Sequence, residues 1–140
     1  MARIVGVNAI ILYANDPAAL AAWYEKRLGI TTLQNADDGN FYGEIGDYHT
    51  GLTMQFAIYK ANEPLAPHAR GLMINYRVDD LEVFVRQLQA EGVTFDRLFA
   101  EDYGNFAHFR DPEGNPIELW ASLPPSGIDL SQAAHYHHDH

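Results

Sequence analysis

The chain carries the same order of hydrophobic runs and turn signals twice, and this repeat limits its fold more than any other feature. An offset of 63 residues aligns the halves by matching Tyr13 with Tyr76, Asp16 with Asp79, Gly29 with Gly92, Thr31 with Thr94, and Gln55 with Glu118. Each half reads as strand, helix and three short strands, and one sheet face of such a unit cannot be buried alone. The repeat therefore predicts two βαβββ modules assembled around a shared core or cleft.

Helix and turn signals define the elements of the first half. Asp16 is a good N-cap, Pro17 suits the first helical position, and Gly29 is a typical C-cap, so a helix is predicted between them through Leu28. Apolar runs between turn-forming residues predict strands at 3–14, 30–34, 41–45 and 52–59.

The second half shows the same signals. Asp79 and Asp80 are predicted to cap a helix that Gly92 ends, and strands are predicted at 72–78, near 93–98, at 105–110 and at 116–121. We expect one domain over residues 1–122, made of repeats 3–60 and 71–121 with a proline-containing linker at 61–70. Residues 123–140 begin with Pro-Pro and end with four histidines in six residues, which predicts a disordered, His-rich tail.

Charge and composition exclude several classes of function. Nine basic and nineteen acidic residues give a net charge of -10, which disfavours nucleic-acid and membrane-surface partners and favours a small molecule. The absence of cysteine excludes thiolate metal sites and cysteine nucleophiles. The N-terminal stretch has no signal-peptide pattern and no apolar run is long enough to span a membrane, so a cytoplasmic protein is expected.

Three stretches of residues 3–121 resemble the vicinal oxygen chelate superfamily of glyoxalases, bleomycin-resistance proteins and extradiol dioxygenases. They are "NDPAALAAWYEKRLGI", "INYRVDDLEVFVRQLQAEGV" and the hairpin "FRDPEGNPIELW". The resemblance implies an α+β glyoxalase-like fold, in which two βαβββ modules form a curled mixed sheet around a cleft. It also implies a homodimer.

The resemblance further implies a divalent metal in the metal-dependent members, held by four His, Glu or Gln side chains from the first and last strands of each module. The last-strand positions fall on Glu118 and Gln55, and the first-strand positions on Met73 and Ala9. A thioether is a poor ligand for hard ions, and alanine has no donor atom. We therefore expect no metal in the cleft, unless His49 or His108 joins Glu118 and Gln55 as a substitute ligand.

Strand alternation places Glu118 and Trp120 on the face opposite Ile117 and Leu119. If the helices cover the Ile/Leu side, a mostly apolar cleft remains, with Glu118 among its polar groups. The other residues predicted to bind a ligand there are Tyr13, Gln55, Met73, Asn75, Arg77, His108 and Trp120. Glu118 is either a general base or ligand anchor, or a structural carboxylate paired with Arg77 or Arg110.

Two functions remain compatible with these features. One is a small-molecule-binding protein that sequesters its ligand without metal, as bleomycin-resistance proteins do. The other is a lyase, isomerase or dioxygenase that uses Glu118 as base or metal ligand. A sequestering protein binds without turnover, whereas an enzyme converts a defined keto or enol substrate.

Overall fold

The computed structural model describes residue 3, residues 7–47, 50–66 and 71–122, and the backbone of 136–137. His49 and most of the predicted tail at 123–140 lie outside these residues, as does the end of the predicted linker. The chain divides into two compact units, Met1–Leu65 and Ala66–His140. Each unit is described separately below.

The first unit is a four-stranded sheet with one helix. Its elements are β1 (Ala9–Ala14), α1 (Pro17–Trp23), a π-helical turn (Tyr24–Leu28), β2 (Thr32–Gln34), β3 (Phe41–Gly46) and β4 (Thr53–Lys60). The strands lie in the order β1-β4-β3-β2, and the edge strand β1 is parallel to β4 while the other pairs are antiparallel.

The second unit repeats this topology. Its elements are β5 (Ile74–Arg77), α2 (Leu81–Ala90), β6 (Arg97–Glu101), β7 (Gly104–Arg110), β8 (Pro116–Ser122) and β9 (Tyr136–His137). The order is β5-β8-β7-β6-β9, with β5 parallel to β8 and the two-residue β9 parallel to β6. Two similar modules of mixed sheet and helix confirm the predicted α+β fold, and neither sheet closes on itself.

The helix starts follow the predicted capping chemistry. The Asp16 carboxylate accepts a hydrogen bond from the Ala19 amide at 3.1 Å, and Asp80 accepts one from Val83 at 3.1 Å. The cap of α2 is Asp80 and not Asp79, so the two caps are 64 residues apart. A single offset of 63 residues therefore does not hold along the whole repeat, because the connections between equivalent strands differ in length.

Three predicted element boundaries were wrong. The α-helix does not continue to Leu28, because the Gly29 amide reaches the Tyr24 carbonyl and widens the last turn. Strand β1 begins at Ala9, not at residue 3. Strand β6 begins at Arg97 and not at 93, since the Val93 amide still bonds to Leu88 at the end of α2.

Each helix covers one face of its own sheet. In the first unit, Leu20 and Tyr24 are buried on the side of Phe56 and Ile58, and the Tyr24 and Phe56 rings lie 5.3 Å apart. In the second unit the fully buried side chains are Leu81, Val85, Leu88, Leu98, Phe109, Ile117 and Leu119. Within the described part of the chain, no helix is long and apolar enough to cross a membrane. One face of each sheet is left without a helix.

A buried aspartate fixes the turn between β7 and β8. Asp111 is 5% exposed, and its Oδ1 accepts hydrogen bonds from the amides of Glu113 and Asn115, each at 2.9 Å. The Asn115 side chain donates a third bond of 2.7 Å to Oδ2. These bonds hold the "DPEGN" turn and with it the alignment of the two strands.

Replacing Asp111 with Ala leaves three buried or half-buried donors without their charged acceptor. We expect the free energy of unfolding to fall by about 2–3 kcal/mol, measured by urea denaturation. Asp102→Ala is the matched control, because Asp102 is an exposed aspartate in the neighbouring β6–β7 turn and should change stability by less than about 0.5 kcal/mol. Equal losses in the two variants would contradict the structural role given to Asp111.

Candidate ligand-binding site

The face of the second sheet opposite α2 carries two parallel rows of side chains. Residues paired across neighbouring strands point to the same face, so the strand register defines the rows. The polar row contains Asn75, Glu118, His108 and Arg97. The aromatic row, two residues further along each strand, contains Arg77, Trp120, Phe106 and Phe99.

Glu118 lies at the centre of the polar row, and both of its carboxylate oxygens have neighbours. Asn75 Nδ2 donates to Oε1 at 2.7 Å, and His108 Nε2 lies 2.5 Å from Oε2. The His108 and Glu118 side chains are 19% and 17% exposed, so little water competes for this contact. A carboxylate held from two sides has a fixed orientation, and it fixes the plane of the imidazole beside it.

The two arginines considered as partners for Glu118 contact other groups. The Arg77 guanidinium lies 5.5 Å from the centre of the Trp120 ring. Arg110 donates to the Gly114 carbonyl at 3.1 Å and lies 3.6 Å from Asp96. The groups that hold the Glu118 carboxylate in place are therefore the side chains of Asn75 and His108.

The aromatic row is a stacked surface with a guanidinium at each side. Phe99 and Phe106 stack with centroids 4.9 Å apart and planes 9° apart. The Arg97 guanidinium lies 4.1 Å from the centre of Phe99, as Arg77 lies over Trp120. Such cation–π contacts hold flexible arginine side chains against a flat apolar surface.

Gly104 makes room for the Trp120 indole. A Cβ atom at Gly104 would overlap Nε1 of Trp120 and the Ala121 carbonyl, so no other residue fits without displacing the ring. Among the described residues, this buried Nε1–H has no hydrogen-bond acceptor. An unsatisfied buried donor is costly.

The structure brings together five of the residues predicted to bind a ligand: Asn75, Arg77, His108, Glu118 and Trp120. Met73 precedes β5, is 47% exposed, and lies outside both rows. Tyr13 and Gln55 lie in the first unit, on the face of the first sheet that α1 does not cover. There Gln55 is paired with Ala9 and donates to Glu44 Oε1 at 3.2 Å.

Sequence reasoning missed Arg97, Phe99 and Phe106 as members of the site. Phe106 and His108 are two residues apart in β7 and therefore lie on the same face of the sheet. The choice of His108 as a site residue could therefore have led to Phe106. Arg97 and Phe99 could not be found in this way because β6 was predicted four residues too early.

The residues at the family's metal-ligand positions do not fit a metal site. Ala9, paired with Gln55, has no donor atom, and the residue paired with Glu118 is Asn75. Both Glu118 oxygens already face protein groups. Over the described residues, which do not include His49, no three His, Asp or Glu side chains are grouped closely enough to hold one ion.

The fold and this site place the chain in a known class. It belongs to the Glyoxalase/Bleomycin resistance protein/Dioxygenase superfamily, whose family model matches residues 6–119. The chain is 31% identical over 126 residues to the uncharacterized protein YaeR of Escherichia coli (strain K12), covering 81% of this chain and 94% of YaeR.

Two solved structures have the same fold at low sequence identity. TnmS3, an antibiotic-binding protein from a Streptomyces species, is 22% identical with a TM-score of 0.66, over 87% of this chain and 99% of TnmS3. Lactoylglutathione lyase from Agrobacterium tumefaciens is 18% identical with a TM-score of 0.64, over 83% of this chain and 92% of the lyase.

Gly104→Ala tests the packing of the indole. We expect a loss of about 1–3 kcal/mol in unfolding free energy, because the added methyl group has to displace the ring or the backbone. In a Trp23→Phe background, which leaves Trp120 as the sole tryptophan, the emission should also shift to longer wavelength. Gly46→Ala is the control, since a Cβ there meets no atom within 4 Å. An unchanged emission in Gly104→Ala would contradict this packing.

Proposed function

We propose that this chain is a small-molecule-binding protein of its superfamily that takes its ligand on the polar and aromatic rows without a metal. The observation that carries the proposal is the position of a stacked aromatic surface beside a row of oriented polar groups. An apolar surface with a few fixed polar groups is the usual composition of a small-molecule site. Sequestration of the ligand, as in bleomycin-resistance proteins, fits this composition because it requires no reactive centre.

The rows favour a planar, conjugated ligand that carries an acidic or carbonyl group. A flat ring gains dispersion and apolar burial mainly against Trp120, because Phe99 and Phe106 are only 7% and 8% exposed. The guanidiniums of Arg77 and Arg97 offer paired donors to a carboxylate. The same face carries the Glu118 carboxylate, so the attraction for such an anion comes from the two arginines at the ends of the rows and not from a net positive face.

The structural relatives support this proposal at the level of the fold. TnmS3 is an antibiotic-binding protein, which shows that this architecture is used for binding. The lyase with the same fold shows that it is also used for catalysis, so the fold alone does not select the function. The contacts of Glu118 favour binding here, because they occupy the oxygens that a metal would need.

We expect the EDTA-dialysed full chain to bind aromatic carboxylates, with phenylpyruvate and 2-naphthoate as probes. Binding is measured by quenching of Trp120 fluorescence in the Trp23→Phe background. Arg97→Gln should weaken binding by about tenfold, the typical effect of losing one charge-assisted contact. Arg86→Gln, on the exposed side of α2, should leave the affinity unchanged. A requirement for added Zn²⁺ or Mn²⁺, or equal affinities in the two variants, would contradict the proposal.

The short contact between His108 and Glu118 favours a second candidate, a metal-free acid–base enzyme. When Nε2–H donates to the carboxylate, the proton is fixed on that nitrogen and Nδ1 is left as an acceptor. A neutral imidazole oriented by a carboxylate can remove a proton from carbon next to a carbonyl group. In this arrangement His108 is the base, and Glu118 orients it.

Hydrogen exchange at C3 of phenylpyruvate, the methylene carbon next to the keto group, separates the two candidates. In D₂O with EDTA, the binding proposal predicts saturable binding with no loss of the methylene proton NMR signal beyond the buffer rate. Exchange faster than buffer would establish the enzyme instead, provided that His108→Gln abolishes it and Glu118→Gln lowers it by at least about tenfold. Binding should persist in His108→Gln in either case, because the aromatic row remains.

A further inference from the structure

Three tyrosines lie together on the face of the first sheet that α1 does not cover. Tyr13 on β1 is paired with Tyr59 on β4, and Tyr42 on β3 is paired with Ala57, two residues from Tyr59 on the same face. The Tyr13 and Tyr59 ring centres are 5.8 Å apart, and those of Tyr42 and Tyr59 are 5.7 Å apart. We call these three side chains the tyrosine cluster.

The rings of the tyrosine cluster are set at steep angles to one another. Tyr13 makes an angle of 86° with Tyr59, and Tyr42 makes an angle of 63° with it. Tyr13 is 51% exposed, so the cluster can be reached from solvent. At these distances Tyr13 and Tyr42 each pack edge to face with Tyr59, so a ligand would meet the outward ring faces and not a space between the rings. The faces of aromatic rings attract alkylated ammonium groups.

Two carboxylates, Asp38 and Glu44, lie near the tyrosine cluster, and Lys60 lines the same surface hollow as Asp38. The Tyr42 hydroxyl donates to Asp38 Oδ2 at 2.7 Å, so a carboxylate is fixed beside the cluster. This bond raises the pKa of Tyr42 to about 12 and keeps its phenol protonated at neutral pH. Glu44, an exposed residue, lies on the same face. Among the described strand residues of this face there is no lysine or arginine.

We propose that the tyrosine cluster with Asp38 is a binding site for a small organic cation, a quaternary or alkylated ammonium. The ring faces attract a diffuse positive charge, and the carboxylates of Asp38 and Glu44 add long-range attraction. An anionic aromatic ligand is repelled here, which separates this site from the one on the second sheet. All its residues lie in the first unit, whereas the residues of the function proposed above lie in the second.

An exposed site built from three rings and one fixed carboxylate binds weakly. Each cation–π contact at such a site is small, so the expected dissociation constant is on the order of 1 mM. The preference of the site for a cation over a neutral molecule is therefore a sharper test of the proposal than the affinity for the cation alone. A site that recognises charge distinguishes a cation from a neutral molecule of the same shape, whereas an apolar patch does not.

The experiment titrates the full chain with choline chloride and with 3,3-dimethyl-1-butanol, its neutral isostere, by saturation-transfer NMR at constant ionic strength. We expect choline to bind at least about tenfold more tightly than the alcohol. Tyr59→Leu should abolish choline binding, and Asp38→Asn, which preserves the shape of the cluster, should weaken it by about threefold to tenfold. Tyr103→Leu is the control, an exposed tyrosine of the second unit that should leave choline binding unchanged.

Circular dichroism of each variant checks that the fold is retained, and Tyr13→Leu replaces Tyr59→Leu if the latter unfolds. Equal binding of the alcohol would overturn the proposal, because it would show an apolar patch without charge recognition. Choline binding that is unchanged in both Tyr13→Leu and Asp38→Asn would overturn it as well. The result that supports it is charge-selective binding lost with the tyrosines and retained in Tyr103→Leu.

Discussion

In the described part of the chain one α-helix packs on each sheet, and the positions of the proposed site residues depend on that constraint. Because side chains alternate along a strand, a helix that buries Ile117 and Leu119 leaves Glu118 and Trp120 on the other face. The residues that stabilise each unit and the residues that can meet a ligand are thus interleaved along the same strands. A substitution on one face leaves the chemistry of the other largely intact.

The pairing register of neighbouring strands determines which of these alternating side chains lie side by side in the site. The Asp111 turn aligns β7 with β8, so that His108 stands opposite Glu118. A slip of one residue would place a carboxylate among the buried leucines and would move the imidazole off its partner. The hairpin that carries Glu118 is therefore also the element that gives it a partner.

The sequence predicted the fold and the sheet faces well, because the signals for both are local. The caps Asp16 and Asp80, the glycine that ends the first helix, and strand parity each depend on a few neighbouring residues. The contact of Glu118 with Asn75 depends on the pairing of β5 with β8, which are far apart in the chain. That pairing has no local signal. The rings of the aromatic row lie on consecutive strands, and Phe99 was missed because it lies beyond the predicted end of β6.

The parallel pairing of the first and last strands of each unit has a consequence for how the protein is made. Strand β1 forms hydrogen bonds with β4, so the first sheet cannot be completed until Lys60 has left the ribosome. All strands of that sheet are then present, before the second unit has been synthesised. The second sheet is completed in the same way when β8 pairs with β5, across the helix and two strands between them. The longest-range strand pairing of each sheet therefore lies within its own unit, which shortens the loops that must close during folding.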